Sequence, residues 1–479
     1  MSGTSHPPNG YGWSNLDATV ISTSFVAQGN PKLRIDAGYF GIDALAASGA
    51  IERIPHSRLG DLVSVFRKGI FDIKADTYSE TGDGVPFVRI GDLKGGLINK
   101  DTTEWITHSA HKAEQKTTLV YGDIILSKTA YPAACFVNLE ECNLSQDTIA
   151  VKLTVAAKKE FKEGYIVAFL NSSFGMPLMR REFQGNVQEH LSLDDGKKLK
   201  IPKIKMALQV QIDNLYRQAD RVRDSARASL AKAEEVLSTT LGLDKVKPAD
   251  APGFIVSFSS LSGSKRLDAE FHASRIRQII GVLSKSGLTV ADVAIPRRQR
   301  FDKALCQSFD YIEISDVGDA GTVGSSRLAC ADAPSRATWH VQDDDVITSM
   351  VRPIRRLSAQ IGKEQAGFVC SSGFVVLTPK NIKPEVLLTF LRLPVVCELM
   401  DLYASASMYP AISEADLLGL PFPKVTSSTS TQICSLVRQA RDARTRAADM
   451  LIKAVKAVEV AIQSGEPAAL AFLAKRPQQ

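Results

Sequence analysis

The stretch QIDNLYRQADRVRDSA (Gln211–Ala226) returns as QICSLVRQARDARTRA (Gln432–Ala447), 221 residues later and identical at eight of sixteen positions. The shared residues are Gln211/Gln432, Ile212/Ile433, Leu215/Leu436, Arg217/Arg438, Gln218/Gln439, Ala219/Ala440, Arg223/Arg444 and Ala226/Ala447. Internal self-similarity has to be resolved before local motifs, because it decides the architecture.

The similarity spreads outward from this pair. LRIDAGYF (Leu33–Phe40) matches KRLDAEFH (Lys265–His272), aligning Asp36 with Asp268. VPFVRIGDLKGGLI (Val85–Ile98) matches FDYIEISDVGDAGTV (Phe309–Val323), aligning Asp92 with Asp316. VYGDIILSKT (Val120–Thr129) matches VQDDDVITSM (Val341–Met350), aligning Asp123 with Asp345 and Ser127 with Ser349. FLNSSFGMPLM matches FLRLPVVCELM, and LKIPK (Leu199–Lys203) matches LPFPK (Leu420–Lys424). The offset drifts from 232 at Asp36/Asp268 to 221 at Gln211/Gln432, as small loop insertions between duplicated domains would produce. One segment departs: where the first copy has QGNVQEHLS, the second has ASASMYPAIS (Ala404–Ser413).

Within each copy, short β-rich runs such as FVRI, GDIILS, TIAVKLT and FVVLTP alternate with turn signals and short helical runs such as EGYIVAFLNSS and PEVLLTFLRLP. The expected fold class is α+β: two tandem α/β domains, each followed by a long helix. The expected boundaries are a polar leader over 1–30, a first domain over 31–203 and a first helix over 204–243. A linker over 244–262, a second domain over 263–424, a second helix over 425–463 and a tail over 464–479 complete the chain.

Heptad counting places Ile212, Ala219, Ala226 and Ala233 on one seam of the first helix, beside Leu208, Leu215 and Val222. The second helix repeats it with Ile433, Ala440, Ala447 and Ala454, beside Leu436 and Met450. Sustained heptads point to a coiled coil, and alanine at the seam lets backbones approach closely. The plainer reading is an amphipathic helix packed on its own domain. A helix of this length spans on the order of 50 Å.

Composition narrows the class. The chain has 479 residues, 44% hydrophobic and 23% charged, with net charge +6, which fits several globular domains and permits, without requiring, an acidic partner. No apolar run reaches the roughly 18 residues of a membrane span, and the N-terminal residues do not read as a secretory signal. Seven cysteines without a CxxC suggest reduced thiols in a cytoplasmic setting. His108 and His111 lack matching ligands and read as a surface loop, so no metal is expected. We find no Asn/Asp-Pro-Pro-aromatic methyltransferase motif, no phosphate-binding GxxxxGK loop, no nuclease cluster and no GxSxG, so no catalytic residue is assigned.

The ordered series FVRIGDLKGG, GDIILSKT, FLNSSFG…REFQGNVQEHLS, LKIPK and QVQIDNLYRQAD, present twice, resembles the specificity subunit of type I restriction-modification enzymes. The resemblance covers about residues 30 to 463. It implies two target recognition domains that each read half of a split DNA site. It also implies that the helices pack as an antiparallel coiled coil with pseudo-twofold symmetry. Expected partners are double-stranded DNA, two methyltransferase subunits and restriction (motor) subunits. S-adenosylmethionine, ATP and Mg are then expected on those partners and no cofactor in this chain. Different readings are a coiled-coil scaffold for proteins without DNA, or an enzyme with an unrecognised site.

Base reading needs side-chain donors and acceptors, and phosphate contact needs cations. The first copy offers Arg67, Lys68, Arg89, Lys94, Lys128 and Thr129, with Gln184, Asn186 and Gln188 as amides suited to adenine. The second offers PRRQR, with Arg297, Arg298 and Arg300, and MVRPIRR, with Arg352, Arg355 and Arg356. The bland alternative for these clusters is solvated surface charge.

Overall fold

The computed structural model describes residues 22–475 except 28–33, 37, 71–73, 81, 186–187, 247–254, 258–265, 319–320, 322 and 406–409. The leader and most of the linker therefore lie outside the described residues. By internal packing the chain divides into two units. One takes Met1–Arg223 with Thr445–Gln479, and the other takes Asp224–Arg444. Both boundaries fall inside long helices, so each unit is an α/β domain joined by half of each helix.

The two α/β domains share one strand plan. In the first, Val63–Lys68, Thr148–Leu153, Ile124–Ser127 and Ala134–Phe136 lie side by side in that order. In the second, Ala294–Pro296, Phe374–Pro379, Val346–Ser349 and Ser358–Gln360 do the same. A second sheet runs Tyr78–Ser79, Glu104–Ile106, Val85–Val88, Glu141–Leu144, Leu119–Val120 in the first copy. Its counterpart runs Ser326–Ala329, Ser308–Ile312, Val369–Ser371, Ala337–His340. The first copy alone extends its first sheet with Leu97–Ile98 and Leu93–Lys94. The central strand Thr148–Leu153 is buried at five of its six positions, which is why it reads as a continuous apolar run.

The aligned aspartates hold the turns that feed these strands. Asp92 accepts the Arg89 amide at 2.7 Å, and Asp316 accepts the Glu313 amide at 2.9 Å. Asp123 accepts the Val120 amide at 2.9 Å, and Asp345 accepts the Gln342 amide at 2.8 Å. A short carboxylate that bonds nearby backbone replaces the missing ladder partner of a turn.

The long helices are α1 (Met206–Leu241, 36 residues) and α2 (Ser427–Ser464, 38 residues). Gly242, at φ 74°, stops α1 in the left-handed conformation that glycine adopts without strain. The seam residues Ile212, Ala219, Ala226, Ala233, Ile433, Ala440, Ala447 and Ala454 are all buried, as is Leu208. Leu215, Val222, Leu436 and Met450 are half-buried at its flanks. In the first unit, Leu208, Ile212, Tyr216 and Ala219 of α1 share one core with Ala447, Leu451, Ala454 and Val458 of α2 and with the sheet. The Lys205 amide donates to Glu466 at 2.9 Å, so α1 begins beside the end of α2 and the pair is antiparallel there. Both sequence readings of the seam therefore hold at once: the helix packs on its own domain and on the other helix. Beyond α2, the expected tail contains α3 (Glu466–Ala474), whose last carbonyls accept from Lys453.

One expectation needs correction. Cys306 and Cys330 are disulfide-bonded, because the start of the second domain's edge strand faces the turn after its neighbour. The other five cysteines are free and buried, and burial pushes the Cys135 and Cys370 thiols up to about 12, far from nucleophilic use. No described helix is long and apolar enough to cross a membrane. No cluster of three metal-binding side chains occurs among the described residues, and His111 is buried beside Asn143.

Candidate nucleic-acid interface

The two aligned serines close one loop in each copy. Ser127 donates to the Tyr131 carbonyl at 2.6 Å and accepts the Ala133 amide at 2.7 Å. Ser349 donates to the Val351 carbonyl at 2.9 Å and accepts that residue's amide at 3.2 Å. Three residues past each serine the backbone turns left-handed, at Ala130 (φ 61°) and Arg352 (φ 51°). A non-glycine residue in this region costs of order 1 kcal/mol and persists only where its surroundings hold it.

A late segment supplies that hold identically in both copies. The Ala130 amide donates to the Glu189 carbonyl at 3.2 Å, and Leu191 donates back to Lys128 at 2.8 Å. The Arg352 amide donates to the Pro410 carbonyl at 2.7 Å, and Ile412 donates back to Met350 at 3.0 Å. Gln184 pairs with His190 across the first hairpin, and Ser405 with Ala411 across the second. The segments QGNVQEHLS and ASASMYPAIS, unlike in sequence, therefore occupy the same place.

An Arg-x-Asp fork that the alignment of Asp36 with Asp268 passed over ties each copy's start to this hairpin. Arg34 bonds both oxygens of Asp36 and donates to the Arg181 carbonyl at 2.7 Å. Arg266 bonds both oxygens of Asp268 and donates to the Leu402 carbonyl at 2.9 Å. The guanidinium holds each carboxyl below its usual range. The signal was present in LRID and KRLD; its partners are carbonyls about 140 residues away in sequence and could not be read.

The candidate residues separate into two groups. Arg67, Lys128, Gln188 and Arg355 are exposed or half-buried and carry no side-chain partner among the described residues. Arg300 is exposed, with its guanidinium 5.5 Å from the Trp339 ring centre. Lys68 is exposed and Arg352 half-buried. The other candidates have structural duties. Arg297 grips the fully buried Asp345 with two nitrogens, and Arg298 pairs with Glu414. Arg89 donates to the Thr102 carbonyl and pairs with Glu104 at 3.1 Å. Gln184 donates to Asp195 at 3.2 Å, Thr129 is buried in the bridge to His190, and Arg356 pairs with Glu234. Asn186 and Tyr409 lie outside the described residues, as does the side chain of Lys94.

What each copy presents is thus a rigid loop backed by a hairpin, with a cation at the loop: Lys128 in one, Arg355 in the other. Such an element can meet phosphate through charge and base edges through side-chain donors.

No protein-family model matches the chain, and no curated protein matches it by sequence. Among solved structures it is similar to the type I restriction-modification system S subunit from M. genitalium, at 13% identity over 88% of this chain and 96% of that one, with a TM-score of 0.32. It is also similar to the HsdS subunit from Thermoanaerobacter tengcongensis, at 15% identity over 86% and 97%, with a TM-score of 0.28. A third is a structure of a type I R-M system, at 14% identity over 88% and 98%, with a TM-score of 0.26. At such identities and TM-scores the chain's own residues, rather than the likeness, bear on what it does.

Proposed function

We propose that the chain is the DNA sequence-specificity subunit of a type I restriction-modification complex. Each α/β domain reads one half of a bipartite target, and the long helices set the gap between the halves. At 36 residues, α1 is about 54 Å long, enough to exceed one DNA turn of roughly 34 Å. The chain itself is non-catalytic; methyltransferase and restriction subunits dock on it and bring S-adenosylmethionine, ATP and Mg. The observation that carries this reading is the duplicated loop and hairpin: backbone copied bond for bond, side chains changed. Two readers of one build and different side chains suit an asymmetric split site.

The test is methylation mapping in cells that express this chain with a methyltransferase subunit. The expected result is adenine methylation in a two-part motif with a fixed gap. A continuous motif, or methylation indifferent to this chain, would sink the proposal. In binding assays, Lys128→Ala is expected to lower the salt slope of log affinity by about one unit, as loss of one phosphate contact should.

A further inference from the structure

The two reading loops are held by different chemistry. In the first copy Asn171, at the end of a short helix, clamps the strand that leaves the loop: its amide donates to the Ala134 carbonyl at 2.7 Å and its oxygen accepts the Ala134 amide at 3.3 Å. The matching residue in the second copy is Arg392. Its Nη1 donates to the Arg356 carbonyl at 3.0 Å and to the Ser358 carbonyl at 3.4 Å. Arg356 returns the bond, its Nε donating to the Arg392 carbonyl at 2.9 Å.

The second loop is also longer. Ser127 donates its amide across the first loop to Ala133, whereas Ser349 donates across the second to Leu357, two residues more. The added length forms a turn at Pro353–Arg355 flanked by two left-handed residues, Arg352 and Arg356. Ile354 and Arg355 are its exposed crest.

Two guanidiniums bonded to each other's carbonyls need an anion, because Arg392 has only 4% of its side chain exposed. Glu234 of α1 supplies it. Its two oxygens meet Arg356 and Arg392, the latter at 3.4 Å, and its side chain is 15% exposed. The position seven-residue spacing assigns to Glu234 in α2 is Val455, and no such triad is present among the described residues of the first copy.

We infer that Glu234 is a positioning residue for base recognition by the second domain: it fixes the Arg352–Arg356 turn, and Arg355 with it, from the helix that also sets the spacing. The inference rests on the proposed DNA-reading function and assigns the second half-site's discrimination to this ion triad. Neutralising Glu234 leaves two facing guanidiniums, which separate, and the turn loses the support for its left-handed flanks.

The test is selection of preferred sequences by the full chain from a random duplex library, followed by affinity measurements with each half of the selected site altered in turn. Glu234→Gln is expected to lower discrimination at one half roughly tenfold, the worth of one good base contact, and to leave the other half as it was. Glu234→Asp should recover part of the loss, and Arg355→Ala, at an exposed position that cannot disturb folding much, should flatten the same half. An unchanged profile in Glu234→Gln, equal loss in both halves, or loss in opposite halves for Glu234→Gln and Arg355→Ala would overturn the inference. A parent chain without any sequence preference would instead overturn the DNA-reading function beneath it.

Discussion

The first α/β domain and the second meet the start of their following helices through the same arginine but with the acid on opposite sides. In the first, Asp213 of α1 accepts the Gly164 amide at 2.9 Å and pairs with Arg217 at 2.7 Å. A side chain at Gly164 would meet the Asp213 Cα and carboxylate at 2.8 Å. In the second, the residue matching Gly164 is Glu385, which pairs with Arg438 at 2.6 Å, and the residue matching Asp213 is Cys434, 3.5 Å from the same carboxylate. Charge and room have been conserved as a pair while the residues exchanged roles. The comparison teaches that the junction of domain and helix is a fixed requirement in each copy, whereas the way it is satisfied can change.

The largest difference between the copies should come from the aspartate that precedes the serine strand. Asp345 is fully buried and accepts from Arg297, Thr378 and the Gln342 amide, whereas Asp123 pairs with the partly exposed Lys152 at 3.5 Å. Asp345→Ala would leave a buried guanidinium unpaired and should cost about 3–5 kcal/mol. Asp123→Ala should cost about 1–3 kcal/mol. Denaturant unfolding of both variants checks this; equal costs would break the contrast.

The exchanged acid gives the next largest effect. Gly164→Glu alone should destabilise the first domain by about 1–3 kcal/mol, because the site is full. Adding Asp213→Cys reproduces the second copy's arrangement and should return most of that loss. A double-mutant cycle with no coupling would show that the two junctions are not equivalent.

The smallest effect is a pH dependence. Burial is the main reason the Asp92 and Asp123 carboxyls stand above their usual range. A carboxyl raised in the folded state holds its proton longer than in the unfolded chain. The cost of its charge is therefore absent below the ordinary carboxylate range, near pH 3, and grows as pH rises through the folded value. Asp123→Asn should gain stability relative to the parent between about pH 3 and pH 6. A difference independent of pH would contradict the burial argument.

Much of the architecture was legible in the chain. The duplicated stretch at Gln211 and Gln432 implied two domains and two helices, and the Ile-Ala-Ala-Ala seams are buried along their length. Helix ends expected at 204–243 and 425–463 fall within two residues of those observed. The candidate site was legible as loops but not as side chains. PRRQR reads as a basic surface cluster, yet Arg297 faces Asp345, 48 residues on, because the strands Ala294–Pro296, Phe374–Pro379 and Val346–Ser349 lie side by side.

What the sequence determined by itself was therefore everything set by local periodicity and repetition: the domain count, the helix lengths, the buried seam and the turn aspartates. Those depend on residues within a few positions of each other, or on one pattern written twice. Only the tertiary structure decided which cations remain available and which carry the fold, and that QGNVQEHLS and ASASMYPAIS are one hairpin. It also decided that each compact unit is completed by half of either long helix. Ion pairing and packing are settled by which distant strands and helices become neighbours, and the pattern along the chain does not record that.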